Sequence, residues 1–268
     1  MPSISTAAPT SRCWRTASTA GSPSCSPPST CWSRTARSDK PVIREDELED
    51  AFVDLRRQTK GHIFVQWSAQ NIDRTVTLYR AAKRTGRILV VDLYGADVLR
   101  RMAHGTRLPQ PGKDFPELMV VITPGGKRLY ERQGRDAFVT EMATSSFATS
   151  RSRLVGARAF VMTRDSMLND FDAAGLGFTS ADAYAFSNWS GYLDPQDPNS
   201  GWARAHAAGS KTLKLHTSGH ASPTDLLRFA EAMKPRALVP VHGVAWDDPG
   251  IPFEAIRRLS DGETWRIP

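Results

Sequence analysis

Beyond residue 31 the chain has no cysteine; Cys13, Cys25 and Cys31 are its full set of three in 268 residues. Their spacing suits no zinc module, and a body without thiols builds no disulfide framework, which fits a reducing, cytoplasmic setting. No apolar run approaches the roughly 18 residues of a membrane-spanning helix, so no membrane partner is expected. Nor does a basic-then-apolar signal segment open the chain. Glycine-rich nucleotide fingerprints are missing too. Pro124-Gly125-Gly126-Lys127 lacks the full P-loop spacing, which counts against a flavodoxin-like or nucleotide-binding reading. Six histidines are present (His62, His104, His206, His216, His220 and His242), and no two stand as H-x-H.

The first 38 residues lack Val, Leu, Phe and any acid, and carry Arg12, Arg15, Arg34 and Arg37 among Ser, Thr, Pro and Ala. Such a segment buries too little apolar surface to offset its ordering entropy, so disorder is expected over 1–40. A basic arm for RNA is one reading. The composition also matches a GC-rich gene translated out of frame, joining a foreign leader to the body near Asp39. An open frame upstream encoding a metal motif would support that origin, and its absence would sink it.

What is there points to a layered α/β body with a basic bias. The net charge is +7, which favours a polyanionic partner. Arg44 to Asp50 opens a helix with acids in its first turn, where they favour the helix dipole. His62 to Trp67 reads as a strand, Ile72 to Thr85 as a helix closed by Gly86, and Arg87 to Leu93 as a strand, with a helix through Ala96 to Met102. Further strands are expected at Glu117–Ile122, Ala157–Thr163 and Ala181–Phe186, with a helix over Arg164–Ala174. This alternation predicts a parallel sheet with helices on both faces. The turn Ser68–Asn71 meets a helix N-terminus, so Ser68 and Asn71 are either phosphate contacts or simple caps. Trp189 and Tyr192, after a strand end, could stack on a base or pack in the core. Asp92 at a strand end reads as a cap rather than a ligand. The Ser- and Thr-rich stretch Thr144–Arg153 is expected to be an exposed connection.

The stretch Leu213–Gly243 carries the sharpest pattern. Leu213 and Leu215 lead into His216-Thr217-Ser218-Gly219-His220. Leu226, Leu227, Ala230 and Met233 then make a helical stripe, Pro235 ends it, and Ala237–Val241 is a buried strand ending at His242-Gly243. Loops at the carboxyl ends of neighbouring parallel strands share a crevice, where His220 and His242 are expected to converge. Two unrelated strand-end histidines is the competing reading. The order of a histidine, Ser-Gly-His, helix, Lys234-Pro235 and Pro240-Val241-His242-Gly243 resembles the C-terminal segment of metallo-β-lactamase-fold nucleases of the β-CASP group, ribonuclease J-like in type. That resemblance implies that His220 is catalytic, that His242 is a zinc ligand, and that Ser218 and His216 contact phosphate. Val244 stands where those enzymes often carry Glu.

Residues 42 to about 195 are similar to the β-CASP insertion of the same family, through the Glu-rich first helix, HIFVQWSAQNIDR, TGRILVVD and Arg164–Met167. The implied organisation is a leader over 1–40, a three-layer α/β β-CASP-like domain over 41–195, and over 196–268 the strand-helix-strand portion of a metallo-β-lactamase fold with the RNA-specificity segment. The family's His-x-His-x-Asp-His cluster is not in this chain, and a zinc centre normally takes about three protein ligands. The expectation is therefore a truncated zinc-dependent ribonuclease-type hydrolase, inactive alone and not retaining zinc. Its expected partners are single-stranded RNA and either a second chain or further copies of itself. The alternative is a non-catalytic RNA-binding or partner-binding remnant.

Overall fold

The structure is a computed structural model that describes residues 43–217, 223–239, 256–260 and 262–266. Helix α1 (Glu45–Gln58) leads to strand β1 (Ile63–Gln66), α2 (Ile72–Arg84), β2 (Leu89–Asp92), α3 (Leu93–Met102) and β3 (Leu118–Val121). Then come α4 (Pro124–Arg132), α5 (Asp136–Thr144), β4 (Ala148–Thr149), α6 (Arg151–Leu154), β5 (Phe160–Met162) and α7 (Asp165–Asp172). Strand β6 (Ala183–Phe186), a 3-10 turn (Ser190–Tyr192), α8 (Gly201–Ala207), β7 (Lys211–Lys214) and α9 (Pro223–Met233) complete the order. None of the described helices is long and apolar enough to cross a membrane.

Strands β1 to β7 form one sheet in the order β4-β3-β2-β5-β1-β6-β7, and every pairing is parallel. The chain winds outward from β1 to β4, returns to place β5 between β2 and β1, then winds the other way through β6 and β7. The expected three-layer α/β architecture is what this sheet and its helices make. Side chains alternate between the two faces with period two. Ile63, Val65, Leu89, Val91, Phe160 and Met162 face the layer that contains Leu48, Phe52, Leu78 and Leu99. Phe64, Val90, Val161, Tyr184 and Phe186 face Leu154, Met167, Phe171 and Ala205. The strands are apolar on both sides because both faces are covered.

Close fit shows at Gly61. A Cβ there would lie 2.1 Å from the Asp182 carboxylate, which accepts the His62 N–H at 2.6 Å and the Thr179 N–H at 2.8 Å. His62 itself is buried. Its Nδ1 accepts the Ala159 N–H and its Nε2–H donates to the Leu154 carbonyl, so it is a satisfied core histidine. Burial pushes its pKa below the ordinary value.

The stretch Thr144–Arg153 is more than a connection, since Ala148–Thr149 pairs with β3 and Arg151–Leu154 is helical, with Ser150 as its cap. The sheet also runs past residue 195. Strand β7 pairs with β6 over four positions, and the compact unit spans Lys40–Ser222. Residues 223–268 fall in the other unit. There α9 is followed by Lys234 with φ 44° before Pro235, Leu238 bridges Ile256, and the Arg257 guanidinium sits 5.2 Å from the Trp265 ring centre. Phe229 and Met233 of α9 are each 64% exposed. Ser218, His220 and His242, like the leader before Ile43, lie outside the described residues.

Candidate functional site at the carboxyl edge of the sheet

A fully buried arginine organises the carboxyl ends of β1, β6 and β7. Arg74 lies in the first turn of α2 with no exposed surface. Its Nη2 meets a Glu45 carboxylate oxygen at 3.0 Å and its Nε donates to the other at 3.3 Å. Its Nη1 donates to the Ser187 carbonyl at 3.0 Å, to the Ser187 hydroxyl and to the Leu215 carbonyl, and Nη2 reaches the Thr217 carbonyl. Ser187 closes the set by donating its hydroxyl to the Leu215 carbonyl. One planar fork thus ties α1, α2, the end of β6 and the end of β7 together, which is a use for Arg rather than Lys. Sequence reasoning missed it. The available signal was a charge on an apolar stripe, since Arg74 shares its helix face with Leu78 and Ala81.

That network positions His216. Its ring Nδ1 stands 3.1 Å from the Ser187 carbonyl, which can only accept, so Nδ1 carries the proton and Nε2 keeps a lone pair. Burial lowers the pKa of His216, and the nearby Arg74 adds to the lowering against the opposing Ser187 carbonyl. The ring is therefore neutral near pH 7 and offers Nε2 as an acceptor. At low pH the unfolded chain would take up a proton that this fold resists, so its contribution to stability falls as pH drops below the usual ~6.5 of histidine.

Beside it, the Ser68 N–H donates to the Asn188 side-chain oxygen at 3.0 Å, joining the loops after β1 and β6. Asn71 is an N-cap, its side-chain oxygen accepting the Arg74 N–H at 3.0 Å. Asn71 Nδ2, Asn188 Nδ2 and the Ser68 O–H have no partner among the described residues, so three neutral donors stand by the N-terminus of α2. Asp92 is a cap, its Oδ1 accepting the Gly95 N–H at 2.7 Å, and it pairs with Arg164. The Arg164 guanidinium also lies 5.3 Å over the Tyr94 ring, whose hydroxyl accepts from Gln70 at 3.0 Å.

Trp189 and Tyr192 are surface residues rather than core, 51% and 77% exposed, with their rings edge to face at 5.2 Å. The indole folds back over Gly191, where a Cβ would come within 2.3 Å of it, so any side chain at 191 would displace the ring.

Among the described residues no three His, Cys, Asp or Glu side chains gather as a metal site. The described side chains do not fit a zinc centre.

Comparison with known proteins bears on this edge. Residues 211–245 match the family model described as the RNA specificity domain of Zn-dependent metallo-hydrolases. This supports a relation to that metallo-hydrolase family and an RNA-directed role for the segment. No curated protein matches the chain. A crystal structure of a protein of unknown function from Enterococcus faecalis V583 superposes with a TM-score of 0.58 at 16% identity, covering 83% of this chain. That likeness concerns the fold alone. The chain spans 45% of that protein's length.

Proposed function

We propose that this chain is the RNA-holding part of a zinc-dependent, ribonuclease J-like phosphodiester hydrolase, with residues 41–195 as its β-CASP-type domain, and that alone it binds single-stranded RNA without cutting it. The observation that carries this is the root of the RNA-specificity segment. Its match begins at Lys211, the first residue of β7, so the segment grows out of the edge where Arg74 holds His216 beside Ser68, Asn71 and Asn188. Neutral donors at a helix N-terminus suit a phosphate, and the exposed Trp189–Tyr192 pair suits an unstacked base. By family resemblance Ser218, His220 and His242 extend this edge as phosphate contact, catalytic histidine and zinc ligand. The metal-activated water that cuts RNA in such enzymes would need ligands beyond this sequence.

The test is fluorescence anisotropy with a labelled oligouridylate of about 12 nucleotides, within the span such grooves hold. Affinity should fall steeply with salt, and Trp189→Ala or Tyr192→Ala should each weaken it about 5- to 150-fold, from roughly 1–3 kcal/mol of stacking per base. Binding unmoved by both substitutions would refute the placement of RNA on this edge. EDTA-sensitive cleavage by the purified chain would refute its inactivity. Binding with no turnover, even when zinc is supplied, is the result expected of this part and equally of a purely RNA-binding remnant.

A further inference from the structure

The opposite, amino-terminal edge of the sheet carries a different concentration of charge. Arg56 lies in the last turn of α1, Lys60 precedes β1, Arg87 precedes β2 and Arg158 precedes β5, and these three strands are neighbours in the order β2-β5-β1. With Arg57 and Arg84 they line a hollow of ≈ 360 Å³ that has two threonines and no carboxylate in its wall. Arg84 is matched by Glu49 and Asp50 at 2.8 Å, and Arg57 by Asp54 at 3.1 Å. Arg87, Arg158 and Lys60 have no ion pair or side-chain hydrogen bond to an acid among the described residues.

Arg56 is the telling member. It is only 5% exposed, its Nη1 donates to the Thr59 carbonyl, and its buried Nε has no hydrogen-bond partner. A buried guanidinium close to two more, with no carboxylate in the shared wall, is costly unless an anion in the hollow offsets the charge. Burial and the charges of Arg87 and Arg158 all press its pKa downward, as expected for cations lacking a counter-charge. The contrast lies elsewhere on the same molecule. In the hollow between α3 and α5 every arginine is answered, Arg135 and Arg101 by Asp97 and Arg100 by Glu141.

We infer that this amino-edge hollow is an anion site for a phosphate group, separate from the carboxyl edge and independent of the function proposed there. Three guanidiniums present planar forks that fit phosphate oxygens, and the hollow is far larger than one such group needs. The phosphate could belong to an RNA chain passing the far side of the sheet or to a free phosphate, and the test separates these.

The full chain is titrated with inorganic phosphate at constant ionic strength, reading calorimetric binding and thermal midpoint, beside the double substitution Arg87→Ala with Arg158→Ala. Wild type should bind saturably and gain thermal stability, and the variant should bind at least tenfold more weakly. In phosphate-free buffer the variant should melt no lower than wild type, since it loses like-charge repulsion and no ion pair. An equal phosphate response in both proteins, no response in wild type, or a variant that melts lower without phosphate would each overturn the site. In a second arm, oligouridylate binding is followed against salt. A log–log slope reduced by about 1.4 in the variant, roughly 0.7 for each lost phosphate contact on a single strand, assigns the site to RNA. Loss of phosphate binding with an unchanged RNA slope assigns it to free phosphate.

Discussion

Replacing Arg74 by Met tests the central claim about the carboxyl edge. The substitution keeps much of the apolar stem and removes the fork. It leaves Glu45 without its buried partner, and the Ser187, Leu215 and Thr217 carbonyls without their shared donor. Breaking a buried ion pair from one side costs about 3–5 kcal/mol, and charge-assisted bonds left unmade act in the same direction. Glu45 keeps 34% of its side chain exposed and can rehydrate, which argues for the lower end, about 3 kcal/mol. For a unit of this size each kcal/mol shifts the midpoint by roughly 2–4 °C, so the variant should melt roughly 10 °C lower. Urea unfolding would measure the energy. Amide exchange would report where it acts, with the Leu215–Thr217 amides opening more readily than the core amides of β2. A double-mutant cycle with Glu45→Gln should show coupling of about 1–3 kcal/mol. The reasoning fails if Arg74→Met stays within about 1 kcal/mol of wild type, or if exchange at residues 215–217 is unchanged.

Asp97 supplies an acid-dependent test. Hydrogen bonds from Arg135 first, and also from Arg101 and Tyr130, hold its carboxyl down at about 2. A depressed folded pKa stabilises above the usual value near 3.9 and is lost as pH falls toward 2. The gap between wild type and Asp97→Asn in urea unfolding should be about 2 kcal/mol at pH 7 and about half that by pH 3, and a gap independent of pH would contradict the assignment. Elemental analysis of the purified chain should find near-zero zinc, equally in His242→Ala. Stoichiometric zinc lost in that variant would show ligands beyond those recognised in the sequence.

The layered architecture was legible because both faces of the sheet are covered. Strands such as Ile63–Gln66 and Leu89–Asp92 therefore stand out as short apolar runs between amphipathic helices. Strand order was not, since the return of the chain to insert β5 between β2 and β1 depends on contacts far apart in sequence. Ala148–Thr149 escaped notice because a two-residue strand carries no periodic signal. At the site, Asp92 read as a cap and is one, while Asn71, left open between cap and phosphate contact, caps its helix. Among neighbouring acids only Glu45 turns inward to the buried arginine, and nothing local distinguishes it from Asp46 or Glu47.

The two ends of the sheet order have a consequence for how copies of the chain can meet. A parallel sheet that stops leaves a row of unpaired amides able to template another strand. On one side that row is only the two residues of β4. On the other it is β7, Lys211-Thr212-Leu213-Lys214, with an exposed lysine at either end of its four positions. Shortness blunts one edge and positive charge guards the other. Among the described residues, growth of this sheet from copy to copy through its own edges is thereby disfavoured, which leaves side-chain surfaces of the unit as the favoured route for self-association.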